Sequence, residues 1–256
     1  MLSVRVVKLG GNEIDRPEWL AACANALAPM DPLVVVHGGG RAVSALSRRL
    51  GLPVEQRDGL RVTSLEAATV VELVLGGPVN RQVVAALRVA GLDAVGLSGV
   101  DGGLLAARRA AGGDLGHVGE IVAVRAALLE SLLLAGLTPV IAPMAPDAAA
   151  PTAPPLNVNA DDAAAAVSGA LRAAELLFIS DVPGVLVDGV VQPTLEVGEI
   201  ATLIELGAAA GGMAAKLRAA TVALGAGARA VRIGDLGLLS DARSGTRILA
   251  AAPQPA

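Results

Sequence analysis

The chain has 256 residues, a formal net charge of −4, 54 % hydrophobic and 17 % charged side chains. That length suits one large α/β domain or two small lobes, and the composition supports a sizeable core and excludes extensive disorder. Trp19 and Phe178 are the only aromatics, so the stacking platforms of single-strand nucleic acid binders are missing, and the acidic balance gives no general attraction for polyphosphate backbones or anionic membranes. The one cysteine, Cys23, excludes an internal disulfide and a cysteine-based metal cluster. With no basic-then-apolar leader ahead of the first strand, the expectation is a cytoplasmic protein without membrane or nucleic acid partners.

In chain order, SVRVVKL predicts a strand that ends on Lys8 and meets Gly10 and Gly11. RPEWLAACANALA predicts a helix and PLVVVH a second strand, which passes from His37 through Gly38, Gly39 and Gly40 into a helix over GRAVSALSRRLG. DGLRVTS places Arg61 after a turn. Helices over SLEAATVVELVLG and VNRQVVAALRVAG, a strand at AVGL, a helix over AVRAALLESLLLAG and a strand at PVIA follow. The Pro/Ala stretch from Ala145 to Pro155 reads as an exposed loop or hairpin. The extended piece LNVN runs into a helix, ADDAAAAVSGALRAA; LLFIS is a strand ending before Asp181, and VLVDGVVQ is a hairpin signal centred on Asp188 and Gly189. The helix GMAAKLRAATVALGAG and the strands ARAVRI and TRIL complete the pattern. The most apolar stretch, LLLAGLTPVIAPMAP, is broken by Gly, Thr and Pro, so it reads as helix, turn and strand rather than a membrane span. Strands alternating with helices predict βαβ units and a mainly parallel sheet.

Polar groups gather where such sheets bind ligands, at the carboxyl ends of strands. HGGGRAV is strand, triple glycine and helix, a pattern that exposes backbone N–H groups to an anion or simply makes a tight turn. Two such ends, after the first two strands, favour the anion reading. No GxxxxGK[ST] and no GxGxxG follows a strand, so the common phosphate fingerprints do not apply. Lysines are few, and Lys8 and Lys216 each accompany a Gly-Gly pair, which suits point charges aimed at phosphate. Asn159 is placed to cap a helix; Asn157, two residues earlier in an extended segment, shares its face. Arg61 suits bidentate capture of a carboxylate, or a surface salt bridge.

In this order, KLGG, VHGGG, GLRVT, VGLSGVDG, LGHVGEI, NVNADD, SDVPGVL, GGMAAK and GTRIL resemble the amino acid kinase family, most closely its acetylglutamate kinase branch, from residue 4 to about residue 250. The resemblance implies a three-layer αβα sandwich around a mainly parallel open sheet, in two lobes: residues 1–170 for the acyl amino acid and dimerisation, residues 171–256 for ATP. It implies that Lys8 and Lys216 stabilise the transferring phosphoryl group, that Asp161 orients both, and that Gly11 and Gly39 offer N–H groups to its oxygens. Gly39, Gly40, Arg61, Asn157 and Asn159 would hold N-acetyl-L-glutamate, with Arg61 and Asn157 on its α-carboxylate. Lys8, Gly10, Gly11, Ser180, Asp181, Gly184, Leu186, Ala209, Gly211 and Lys216 would bind ATP, with Mg²⁺ and no assigned protein metal ligand. The implied reaction is phosphorylation of the substrate γ-carboxylate in arginine biosynthesis. The rivals are a kinase for α-aminoadipate in lysine biosynthesis and a non-catalytic nucleotide- or amino-acid-binding regulator. Relatives inhibited by arginine carry an extra N-terminal helix that joins dimers; with the first strand starting so near Met1, the expectation is an arginine-insensitive homodimer, with SLEAATVVELVLGG as a candidate dimer surface.

Overall fold

The valine-rich run Arg5–Leu9 forms β1, buried on both faces between two parallel neighbours, which is why it reads as a nearly continuous apolar strand. The computed structural model describes residues 3–11, 13–57, 59–110 and 114–250. After β1 come α1 (Pro17–Leu27), β2 (Leu33–His37), α2 (Gly40–Arg49), the short pair β3 (Gln56–Arg57) and β4 (Leu60–Arg61), α3 (Leu65–Val74), α4 (Asn80–Val89) and β5 (Ala94–Ser98). Next are β6 (Leu105–Arg109), β7 (Val118–Val124), α5 (Ala126–Leu134), β8 (Thr138–Ala142), β9 (Met144–Ala145), β10 (Leu156–Val158), α6 (Ala160–Ala170) and β11 (Glu175–Ile179). The chain then forms β12 (Leu186–Val187), β13 (Val190–Val191), β14 (Thr194–Glu196), α7 (Val197–Glu205), α8 (Gly211–Gly225), β15 (Val231–Gly234) and β16 (Thr246–Leu249).

The main sheet has eight strands in the order β14-β16-β15-β11-β1-β2-β8-β5, parallel except between β15 and β16. Alternation along its strands builds two cores. Val6, Val36, Ile141 and Phe178 pack with Leu129 of α5, Ala164 of α6 and Leu217 of α8. Val7, Val35, Val140 and Leu177 pack on the other face with Leu20 of α1, Val43 of α2, Val71 of α3 and Val83 of α4. Helices therefore cover both faces, giving the expected three layers around a mainly parallel sheet. Aromatic residues contribute little to this packing: Phe178 is fully buried, and Trp19 is partly buried against the second core.

A second sheet, β6-β7-β10-β9, is absent from the sequence-based expectation. The predicted helix AVRAALLESLLLAG starts late, at Ala126, because Ala123 and Val124 belong to β7. The reason lies just upstream: Val118, Ile121, Val122 and Val124 are β-branched, and residues 119–124 run antiparallel to β6 across a bulge at Ala106/Ala107. The VLVDGVVQ hairpin forms as β12–β13, with Asp188 and Gly189 at φ 51° and 78° as a two-residue hairpin turn requires. The 25-residue stretch Leu65–Val89 is long and apolar enough to cross a membrane. It is broken at Gly77 and Pro78, and Val70, Val71, Val74, Leu75, Val79, Val83 and Leu87 are buried in the second core.

Candidate active site

The two-residue period of β1 sends Val6 and Lys8 toward the layer formed by α6 and α8. Asp161 lies in the first turn of α6 and Lys216 in the second turn of α8, two helices that pack against each other. All three side chains therefore meet at the carboxyl end of β1. Lys8 Nζ is 2.8 Å from Asp161 Oδ1, and Lys216 Nζ is 3.7 Å from Asp161 Oδ2. The Oδ1 contact is ionic without hydrogen-bond alignment, and Lys216 also donates to Gly212 O at 3.4 Å. Lys8 and Lys216 are the only lysines in the sequence. Burial, followed by the like charge of Lys8, pushes the Lys216 ammonium below the ordinary lysine range, and Asp161 acts against that shift. Asn159 caps α6 by accepting from the Asp161 N–H at 2.7 Å, which fixes where the carboxylate begins.

The glycine turns lie beside this triad. A Cβ on Gly11 would stand 2.6 Å from Gly39 N, so the two turns touch backbone to backbone and tolerate no side chain there. Among the described residues, neither the Gly11 nor the Gly39 N–H is engaged in a hydrogen bond. The His37 ring anchors the second turn from beneath: Nδ1 donates to Gly38 O at 2.8 Å and Nε2 accepts from Asn80 Nδ2 at 3.0 Å. Full burial lowers its pKa to about 4, so the ring is neutral.

Across the same cavity, of about 320 Å³, Arg61 Nη2 donates to Gly40 O at 3.0 Å and to Ser44 Oγ at 2.7 Å. Burial and the neighbouring Arg48 charge lower the Arg61 pKa. Thr63, fully buried two residues on, donates to Arg61 O at 2.8 Å and accepts from Asn157 Nδ2 at 3.2 Å. The cavity thus joins an end with Lys8 and Lys216 to an end lined by Arg61 and Asn157.

Gly10, Gly39, Gly40, Asn159, Ser180 and Asp181 also line this cavity. Gly184, Leu186, Ala209 and Gly211 do not. Gly184 packs against Val191 and Thr246, Leu186 is partly exposed on β12, and Ala209 and Gly211 lead into α8. Three contributors lay outside the sequence reading. Thr63 sits in the quoted GLRVT motif, and its two-residue offset from Arg61 was the available signal. Ser44 is one helical turn from Gly40, a spacing that carries no signal on its own. Glu13 lines the cavity with only 7 % of its surface accessible. An acidic residue so close to KLGG runs against an anion site, and that conflict was its signal. Burial and then the Asp181 charge raise the Glu13 pKa, while Lys8 and Lys216 lower it.

Residues 3–235 match the model of the amino acid kinase family. The chain belongs to the amino acid kinase family. Among similar members, a protein named acetylglutamate kinase from Chloroflexus aurantiacus is 48 % identical, covering 96 % of this chain and 97 % of its own. A protein of the same name from Methanopyrus kandleri is 45 % identical over 92 % of this chain and 97 % of its own. A solved structure from Streptococcus mutans superimposes with a TM-score of 0.85 at 29 % identity, covering 97 % of this chain and 99 % of that one. This amino acid kinase site contains no gathering of three or more His, Cys, Asp or Glu among the described residues. Besides Asp161, the carboxylates that line the cavity are those of Glu13 and Asp181. One or two carboxylates, completed by substrate phosphates, form a donor set suited to Mg²⁺.

Proposed function

We propose that this amino acid kinase transfers the γ-phosphoryl group of ATP to the γ-carboxylate of N-acetyl-L-glutamate, forming the acyl phosphate used in arginine biosynthesis. The observation that carries the reading is the convergence of Lys8 and Lys216 on one buried carboxylate, beside the free amides of Gly11 and Gly39. The similarity to proteins named acetylglutamate kinase supports the choice of acceptor.

A substrate carboxylate with a pKa of about 4.3 is already ionised at neutral pH, so the acceptor needs no general base. The difficulty is bringing that anion to a polyanion. Lys8 and Lys216 place two positive charges over the group in transfer, and Asp161 directs both and opposes loss of the Lys216 proton. The Gly11 and Gly39 N–H groups point to the same oxygens without a Cβ to obstruct them. Arg61 and Asn157, with Gly40 and Asn159, orient the acyl amino acid by its α-carboxylate, so that the γ-carboxylate lies toward the lysines. Mg²⁺ arriving with the nucleotide supplies charge neutralisation on the phosphate oxygens.

In this reading, residues 1–170 form the acyl amino acid lobe and residues 171–256 the nucleotide lobe, with Ser180, Asp181, Gly184, Leu186, Ala209 and Gly211 flanking ATP. A homodimer through α3 fits the exposure of Leu65 and Leu73 on that helix. A coupled ADP-release assay with MgATP, comparing N-acetyl-L-glutamate, L-glutamate and free α-aminoadipate with hydroxylamine as a trap, tests the function. Turnover and a hydroxamate with acetylglutamate alone are expected. No turnover with any acceptor would overturn the reading.

A further inference from the structure

Glu13 is the charged group in the cleft that the proposed reaction leaves without a task. The turn after Gly11 folds it back over the end of β1, so that Oε2 lies 2.6 Å from where a Cβ on Gly10 would sit. The residue is more than nine-tenths buried and lines the cavity. Among the described residues, no other residue donates a hydrogen bond to its carboxylate. Asp181, at the end of β11, faces the same space and opposes the ionised form of Glu13. The two lysines nearby are already shared through Asp161.

Two carboxylates next to the seat of a triphosphate repel both each other and the ligand. Asp181 is exposed and Glu13 is buried, and a buried charge persists when it is paired or when it coordinates a metal. Here the pairing cations are committed elsewhere, so the balancing charge has to enter with the ligand. Mg²⁺ requires near-octahedral oxygen coordination and is commonly held by one or two carboxylates together with substrate phosphates and water. The Glu13 and Asp181 side chains have the chemistry and the position for that share.

We propose that Glu13 and Asp181 supply carboxylate oxygens to the divalent cation that accompanies ATP. This rests on the kinase reading and goes beyond it by giving the cation protein ligands.

The test uses Mn²⁺ as the probe and AMP-PNP as a non-hydrolysable nucleotide, with free Mn²⁺ followed by electron paramagnetic resonance. The unsubstituted protein is expected to retain Mn²⁺ in the ternary complex. Glu13→Gln and Asp181→Asn are each expected to weaken that retention by about tenfold or more, a loss of the size seen when metal-site partners are removed. For Glu13→Gln, affinity for AMP-PNP without metal is expected to hold or rise, because a repulsive charge is gone. Equal Mn²⁺ retention in both variants would overturn the proposal. Water counting on bound Mn²⁺ in ¹⁷O-enriched water decides the case on the unsubstituted protein, whether or not a variant folds. Roughly two inner-sphere waters are expected if two carboxylates and two phosphate oxygens bind; about four would mean phosphates alone and overturn the assignment. Failure of the unsubstituted protein to bind AMP-PNP at all would sink the kinase reading as well, whereas binding with unchanged Mn²⁺ in the variants sinks only the carboxylate assignment.

Discussion

Lys8 Nζ and Asp161 Oδ1 stand 2.8 Å apart, with only 7 % of each side chain accessible. A buried ion pair contributes little net stability as a pair, but removing one partner strands the other charge. Asp161→Asn keeps the shape and removes the charge. It is expected to lower stability by about 3 kcal/mol, read from denaturant midpoints, and to lower kcat by about 100-fold or more. A variant with wild-type midpoint and kcat would remove Asp161 from both roles.

The pH profile should carry the signature of Lys216. Its ammonium is held below the ordinary lysine value of 10.5, chiefly by burial and next by Lys8. Phosphoryl stabilisation needs the charged form, so kcat should fall on the alkaline side as Lys216 loses its proton, at a pH below that ordinary value. Lys216→Arg keeps the charge to higher pH and should move the alkaline limb upward at a reduced plateau. An alkaline limb that does not move in this variant would assign the titration to another group.

Gly11→Ala tests the contact between the glycine turns. The added methyl meets Gly39 N at 2.6 Å, and neither backbone can yield without shifting an amide from its place beside the lysines. The expected result is a kcat loss on the order of 100-fold, comparable to removing one oxyanion donor. Gly198, whose Cβ position meets nothing and whose φ is not positive, serves as a contrast for overall folding.

Thr63→Val removes the hydroxyl shared between Arg61 O and Asn157 Nδ2 while keeping the side-chain shape. The acyl substrate should bind more weakly, with KM rising about tenfold for a loss of about 1.4 kcal/mol, and KM for ATP should stay as it is. Equal effects on both KM values would indicate a general loss of structure rather than loss of positioning.

His37 sets an acid limit on stability. Burial lowers its pKa from 6.5 to about 4. Below 6.5 the unfolded chain binds a proton that the native ring does not, so native stability falls between pH 6.5 and about 4, by up to about 3 kcal/mol from this group. Thermal melts of His37→Gln across that window should show a shallower fall than the unsubstituted protein. Parallel curves would assign the acid sensitivity elsewhere.

The parts of the fold legible in the sequence are those in which local pattern and tertiary environment agree. Buried parallel strands such as Leu33–His37 read as unbroken β-branched runs, and α6 announces itself by the Asn159 cap. The β6–β7 hairpin did not, because Leu105–Arg109 carries two arginines and two alanines, and Val118–Val124 runs without a breaker into the Ala/Leu helix behind it. Within the site, glycines and lysines stand out because each is the residue type an anion demands. Thr63 and Glu13 do not, since their tasks depend on which loops meet. Thr63 joins β4 to the segment at Leu115–His117, and Glu13 is significant only because Asp181 arrives from the far side of β1.

Every side-chain amine in this molecule lies in one cleft, since Lys8 and Lys216 are the only lysines and 7 % and 12 % of their side chains are accessible. A lysine-specific endoprotease therefore has just two side-chain addresses, both shut in the native state. Cutting after Lys8, in the central strand, or after Lys216, inside α8, requires the chain to unfold there and so reports unfolding of the walls of the cleft. Amine-directed labels meet the same burial, apart from the chain's own α-amino group, so resistance to labelling measures closure of this cleft without a reporter having to be built in.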